Sequence, residues 1–390
     1  MIYLDNAATT PLHPKARAAM LPYLNEFFAN PSSVYTPARQ VRKAIDEVRQ
    51  VVANALCANS NEIYFTSSGT EACNWAIKGI LEASKGRHII TSAIEHHAVF
   101  HTGEHLAKLG YDITYLPTDS TGCVEPEAVA HAVRPDTCLV SIMLANNEVG
   151  TIQPLSKISK ITQKYNIPLY TDAVQVVGHM PINVDELGVD LLSLSSHKFY
   201  GPKGVGALYI RKGTNIASIV HGGMQERGRH AGTENVMGIV GMGAALTAVL
   251  EEMSAESKRL TALRDRLIQE ILTKIPHTKL NGAIGDNRLN GNVNISFRFI
   301  EGESLLLHLD MNGIYASTGS ACSSGSLDPS HVLMAMGLSH ELANGAIRFS
   351  LGRENTDDDI DKLMAVLEPT VQKLRDLSPL YDDYRKHLQK

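Results

Sequence analysis

Little in this sequence points to a membrane, a nucleic acid or an oxidising compartment. No apolar run in its 390 residues approaches the roughly 18 to 20 needed to cross a bilayer. The opening Met1-Ile2-Tyr3-Leu4-Asp5 lacks the charged stretch and apolar core of a secretory signal. The expectation is a cytoplasmic protein that does not bind membranes. Cysteine is sparse: Cys57, Cys73, Cys123, Cys138 and Cys322 form an odd, scattered set with no C-x-x-C pair. That argues against a disulfide framework or a zinc knuckle and predicts free thiols. A formal net charge of -5 leaves no broad basic field, which argues against direct nucleic-acid binding. No internal repeat or low-complexity segment is evident, and 44% hydrophobic with 20% charged residues is the balance of a globular chain.

The length predicts two domains. Apolar runs rich in β-formers (Ile63 to Thr66, His88 to Thr91, Ile113 to Leu116, Cys138 to Leu144, Pro168 to Thr171, Leu191 to Leu194, Val205 to Ile210) alternate mostly with helical stretches. The first helices run Pro14 to Phe28 and about Ala38 to Leu56. This is the pattern of an α/β fold with a largely parallel, seven-stranded sheet covered by helices. A long helix, Val236 to Lys274, links to strands at Asn292 to Phe297, Ile314 to Ser317 and Ala346 to Ser350, with helices at Gly302 to Met311, Ser330 to Met336 and from Ile360. The expected division is a large domain over 14–255 and a smaller α/β domain made of 1–13 with 256–390. Tyr3 to Pro11 is polar and turn-rich and should lie against another part of the fold.

In such sheets chemistry collects where strands end. Leu191 to Ser195 runs into Ser196-His197-Lys198, then the turn Tyr200-Gly201-Pro202-Lys203-Gly204. A lysine at the end of a buried strand needs a partner or a task, because a desolvated ammonium drifts toward the neutral, nucleophilic amine. One such task is a Schiff base with pyridoxal phosphate; the plain alternative is a solvated loop lysine. Ser67-Ser68-Gly69-Thr70-Glu71 opens a helix and could present backbone N–H groups to a phosphate, or simply cap that helix. Asp172, with Gln175 behind it, closes another strand, where a carboxylate suits a protonated pyridine nitrogen or an ordinary helix cap. Glu95-His96 places an imidazole where it could stack on a ring, and Asn146-Asn147-Glu148 supplies an amide. His97, His101 and His105 share one helical face, but nothing completes a metal set and Glu104 is expected off that face; a solvated face is the simpler reading. Cys322 stands among Gly319, Ser320, Ser323, Ser324 and Gly325, the surroundings of an exposed loop thiol. Cys138 lies in an apolar strand, and Cys57 and Cys73 fall on helices where packing explains them. Arg348 within a strand suits capture of an α-carboxylate, or a structural ion pair with an acid.

With these residues assembled, the sequence resembles the cysteine desulfurases of the NifS/IscS type in the pyridoxal-phosphate-dependent fold type I superfamily. The likeness runs through Tyr3-Leu4-Asp5-Asn6-Ala7-Ala8-Thr9-Thr10, Asn30-Pro31-Ser32-Ser33, Phe65-Thr66-Ser67, Ala145-Asn146-Asn147-Glu148-Val149-Gly150 and Thr171-Asp172-Ala173-Val174-Gln175. It continues through Ser196-His197-Lys198-Phe199-Tyr200-Gly201-Pro202-Lys203-Gly204, Ala231-Gly232-Thr233-Glu234-Asn235-Val236 and Gly319-Ser320-Ala321-Cys322-Ser323-Ser324-Gly325. The Lys198 and Cys322 stretches together are far more specific than either alone.

The resemblance implies Lys198 as the Schiff-base lysine, Cys322 as the sulfur acceptor and His96 stacked on the coenzyme ring as a third catalytic group. It implies Asp172 on the ring nitrogen, Asn147 and Gln175 at the ring hydroxyl, and Gly69, Thr70, Ser195 and His197 at the phosphate. Thr233 should reach the phosphate site of a second subunit in a homodimer, and Arg348 with Asn147 should hold the substrate. The implied reaction removes sulfur from L-cysteine, giving alanine and a Cys322 persulfide. That sulfur passes to an iron-sulfur scaffold or another acceptor, with Cys322 transiently ligating a cluster and no resident metal. The long loop around Cys322 resembles the group I enzymes. Gly69 stands where alanine is common, and His97 where lysine is common. Rival readings are a selenocysteine lyase, an aminotransferase, or a silent sulfur-relay or scaffold protein.

Overall fold

The structure is a computed structural model that describes residues 1–318 and 329–388; Cys322 and its loop lie outside the described residues. The strands, in chain order, are β1 (Ile2–Tyr3), β2 (Ile63–Thr66), β3 (His88–Ser92), β4 (Asp112–Leu116), β5 (Thr137–Ser141) and β6 (Leu169–Asp172), then β7 (Leu191–Ser195), β8 (Gly206–Ile210), β9 (Thr278–Leu280), β10 (Asn292–Phe297), β11 (Ile314–Tyr315) and β12 (Ala346–Ser350). Seven of them form one sheet in the order β2-β8-β7-β6-β5-β3-β4. Within it only β8 runs antiparallel, to both β7 and β2. A short return between β7 and β8 forces that reversal, because a parallel crossover needs a dozen residues or more. The residues of the return, Lys198 among them, are thereby left at the carboxyl end of β7.

Alternate side chains feed two cores. Ile90, Val140, Leu169, Leu192 and Leu194 pack with Ile45, Val48 and Val52 of the helix Thr36–Leu56 and with Ile239, Met242 and Leu246 of the helix Val236–Lys274. Ile89, Leu139, Tyr170, Leu191 and Leu208 face Trp75, Ile77 and Ile80 of the helix Gly69–Ala83. Burial on both faces explains runs that are apolar almost throughout.

A third core gathers around the antiparallel sheet β12-β10-β9. It takes Leu260, Leu263, Leu267 and Ile271 from the far half of the long helix, Leu363, Leu367 and Val371 from the helix Asp357–Asp376, and Ile2 and Leu4 from the start of the chain. By length and composition the helix Val236–Lys274 is, among the described residues, the one that could cross a membrane, although Glu251 and Glu252 end its uncharged run. In this fold it packs against the helices Pro14–Met20 and Thr36–Leu56.

Two sequence expectations need correction. The predicted helix from Pro14 to Phe28 is broken into Pro14–Met20 and Pro22–Asn25, because Pro22 has no N–H to donate and its ring crowds the preceding turn. The strand expected to continue to Leu144 stops at Ser141, where its Met143 N–H turns instead to the Glu95 carboxyl at 2.9 Å. β1, too short to announce itself, pairs in parallel with β11.

Candidate active site

β7 ends in a tight turn, Ser196–Lys198, which aims Lys198 at the start of the chain. Its ammonium Nζ donates to the Ala7 carbonyl at 2.7 Å and the Ala8 carbonyl at 2.8 Å. Tyr200, two residues on, holds a left-handed φ of 64°, a conformation that a bulky residue keeps only under external restraint. The restraint is visible: Tyr200 N–H donates to Thr10 Oγ1 at 2.7 Å, and its hydroxyl accepts from the Arg353 N–H at 2.8 Å. His197 Nδ1 lies 3.1 Å from Thr9 Oγ1. Burial first and the neighbouring Lys198 second push the His197 pKa down to about 4, so its imidazole is neutral.

Asp172 closes β6 and is only 6% exposed. Its Oδ1 accepts from the Val174 N–H at 2.9 Å, and its Oδ2 from the Cys73 thiol at 3.6 Å. Among the described residues no lysine or arginine forms an ion pair with it. A buried carboxylate so placed favours a cationic ligand. His96 caps the helix His97–Lys108, its Nδ1 accepting from the Ala98 N–H at 3.1 Å. The ring proton therefore resides on Nε2. Burial lowers the His96 pKa, Asp172 opposes that and Lys198 adds to it, so these three groups share one electrostatic neighbourhood.

Gly69 begins the helix Gly69–Ala83, capped by Ser68 Oγ accepting from Glu71 N–H at 3.1 Å. A Cβ at Gly69 would approach Val174 Cγ2 to 2.9 Å and Ser195 Cβ to 3.1 Å. The absent side chain lets the helix N-terminus press against the ends of β6 and β7, bringing Gly69 and Ser195 together beside Thr70. Such a terminus attracts an anion. Lys198, the Asp172 carboxylate and this cradle fit a cationic heterocycle that carries both an aldehyde and a phosphate.

Arg348, on β12, is 2% exposed. Its Nη2 donates to Asp5 Oδ1 at 2.8 Å and its Nη1 to the Asn147 carbonyl at 3.1 Å. The structural ion pair weighed from sequence is therefore present, and it leaves Arg348 beside Asn147. Gln175 donates its amide to the Ala7 carbonyl at 2.9 Å. Thr233 is exposed, on the loop preceding the long helix. Cys322 lies outside the described residues.

Sequence reasoning missed the role of the opening segment. Asp5 binds Arg348, Asn6 Nδ2 donates to the Ser350 carbonyl at 2.9 Å, Ala7 and Ala8 hold Lys198, and Thr9 meets His197. Its turn-rich polarity and its place in the family likeness were the signals. Also missed was Glu71, whose carboxylate takes the Ser67 N–H at 2.6 Å, the Ser67 hydroxyl at 2.7 Å and His230 Nε2 at 2.8 Å. His230 is the largest cause of a Glu71 pKa lowered to about 2, and Glu71 in turn raises that of His230.

The histidine face is solvated at His101 and His105, as expected, but only half-exposed at His97. His101 Nδ1 lies 2.8 Å from Glu104 Oε2, one turn away, so Glu104 is on that face. His97 is packed with ring centroids 4.9 Å from His101 and 4.8 Å from His331. Cys57, expected to be packed, is exposed, because the helix ends there in a left-handed cap with φ of 54°.

The aminotransferase class-V family model matches residues 2–363. A cysteine desulfurase IscS of Dictyoglomus turgidum is 55% identical over 386 residues, covering 98% of each chain. The solved structure of a NifS-like protein superposes with a TM-score of 0.90 at 38% identity, covering 96% of this chain and 100% of that one. SspA, solved in complex with cysteine, gives a TM-score of 0.80 at 36% identity over 90% of this chain and 99% of its own.

Proposed function

We propose a division of labour for the residues of a chain that belongs to the aminotransferase class-V family and is a pyridoxal-phosphate-dependent cysteine desulfurase. Lys198 would carry the coenzyme. Asp172 would pair with the ring nitrogen, His96 stack on the ring, Asn147 and Gln175 reach its hydroxyl, and Gly69, Thr70, Ser195 and His197 hold the phosphate. The observation that carries this reading is a buried Asp172 carboxylate that, among the described residues, forms no ion pair with a lysine or arginine and acts on His96 together with the Lys198 amine.

When bound, pyridoxal phosphate supplies an aldehyde for amine exchange and a ring that accepts the electron pair left by α-deprotonation. The protein's part is proton management and positioning. Arg348 holds the substrate carboxylate beside Asn147, exchanging Asp5 for it. The Lys198 amine, released from the Ala7 and Ala8 carbonyls, takes the α-proton. The neutral His96 presents its Nε2–H without adding a second cation beside Lys198. Cys322, as a thiolate, attacks the substrate sulfur; the Cβ–S pair stays with Cβ, which is protonated, and alanine leaves while the persulfide remains on Cys322.

Residues 14–255 would form the coenzyme-binding domain, with 1–13 and 256–390 a smaller domain carrying Cys322; the separate core around β10 and β12 supports this. Thr233 would reach the phosphate of a second subunit in a homodimer, and its exposure suits that role. The persulfide would pass to an iron-sulfur scaffold or another acceptor, Cys322 ligating a cluster in transit. Free thiols at Cys57, Cys73, Cys123 and Cys138 agree with a reducing, cytoplasmic setting.

The test is incubation of the holoenzyme with L-cysteine, measuring alanine and sulfide. Cys322→Ala should keep the coenzyme's visible band and release no alanine; Lys198→Ala should lose the band. Normal turnover in the first variant, or an unchanged spectrum in the second, removes that residue from the assignment.

A further inference from the structure

Below Asp172 runs a buried polar chain that the steps above leave unused. Cys73, in the helix Gly69–Ala83, is 1% exposed. Its Sγ lies 3.6 Å from Asp172 Oδ2 and 3.5 Å from Ser193 Oγ, and Ser193 Oγ lies 2.8 Å from the Tyr170 hydroxyl. Tyr170 and Asp172 are two apart on β6 and so share a face, and Ser193 is paired with Asp172 across β6 and β7.

The direction of donation follows from what each group can do. An ionised carboxylate only accepts, so the thiol donates to it; the sulfur then accepts from Ser193, whose oxygen accepts from Tyr170. Every donor points the same way and the series ends on the carboxylate. Burial pushes the Cys73 thiol and the Tyr170 phenol well above their ordinary ranges, so both keep the protons this arrangement needs. The charged or titratable groups around it are Asp172 and Tyr170 on β6, Glu95 after β3, His96 at the head of the next helix and Lys198 after β7.

We propose that Cys73, backed by Ser193 and Tyr170, is a positioning residue that sets how strongly Asp172 grips the proton on the coenzyme's ring nitrogen. This rests on the assignment of Asp172 as the ring's partner. A thiol donates more weakly than a hydroxyl. It holds Oδ2 in place while leaving more negative charge on it than a serine would, which favours the protonated, electron-accepting ring. Filling space alone would give no reason for a one-way donor series ending on that oxygen.

The experiment is a pH titration of the visible band of the bound coenzyme in the full-length holoenzyme. Cys73→Ala removes the donor and Cys73→Ser strengthens it. The midpoints should fall in the order Ala, parent, Ser, with roughly half a pH unit between neighbours. Tyr170→Phe should move the midpoint in the alanine direction by a smaller amount. Midpoints that coincide, or that move the same way for Ala and Ser, overturn the proposal, since a packing defect has no reason to reverse sign. Asp172→Asn separates the two levels of inference. If it shifts the band and the Cys73 variants do not, the thiol's role is lost and that of Asp172 stands; if it leaves the band in place, both fall.

Discussion

Replacing His230 with glutamine tests whether the Glu71–His230 pair fastens the loop before the long helix to the start of the helix Gly69–Ala83. The pair is 2.8 Å apart with side chains 20% and 15% exposed. A Glu71 carboxyl lowered from 4.5 to about 2 sets a ceiling of roughly 3 kcal/mol. Ser67 supplies two of the three donors, and solvent screens a pair that is not fully buried. The part that His230 supplies is then about 1 kcal/mol. His230 has its pKa raised above 6.5, so its contribution is full below that value and fades as pH rises through the folded-state pKa. Glu71 works the other way: its contribution is present above 4.5 and is lost as pH falls toward about 2. The pair should stabilise most between about pH 4.5 and 6.5. Trp75, the chain's single tryptophan, has its ring 5.5 Å from that of His230, and a protonated imidazole quenches indole emission. The parent's Trp75 emission should rise with pH around a midpoint above 6.5, and the step should vanish in His230→Gln. Urea unfolding of parent and variant should differ by about 1 kcal/mol at pH 5.5 and by clearly less at pH 8.5. A midpoint at or below 6.5, or a stability gap that ignores pH, would refute the reasoning.

Three further outcomes follow. Glu226 accepts two bonds from Arg49, at 2.7 and 2.8 Å, and one from the Phe65 N–H at 2.9 Å; Glu226→Ala strands a buried guanidinium and should cost about 3 to 5 kcal/mol, read by chemical denaturation. Glu95 is 1% exposed, and burial raises its pKa to about 8. Because its folded-state pKa exceeds the unfolded one, the carboxyl costs stability increasingly from pH 4.5 to about 8. Glu95→Gln should therefore stabilise by about 1 to 3 kcal/mol at pH 7 and by almost nothing at pH 4.5, and equal effects at both pH values would contradict that. In the native protein a maleimide should modify the exposed Cys57 well before the buried Cys73 and Cys138, and mass mapping of the labelled peptides would reveal any other order.

Much of the sheet was legible because its strands are short apolar runs bounded by polar or turn residues, as at Leu191 to Ser195. Asp172 and Lys198 stood out for the same local reason: each is an ionisable group within three residues of the end of such a run. What the sequence could not disclose lies in partnerships between distant positions. Arg348 with Asp5, Lys198 with Ala7, and His230 with Glu71 are separated by 343, 191 and 159 residues, and neither helical nor strand periodicity reaches so far. The break at Pro22 was readable from the proline and was overridden by the apolar pattern around it. The left-handed cap that exposes Cys57 leaves no mark in composition, since no glycine occupies it.

The threading of the first ten residues bears on biosynthesis. Asn6 and Ala7 dock on Ser350, so during synthesis this segment has nowhere to settle until β12 has emerged. A nascent or truncated product ending before β12 would leave those carbonyls adrift and the amine without its rest position. Vitamin uptake should thus wait for β12: only molecules that include it would turn yellow.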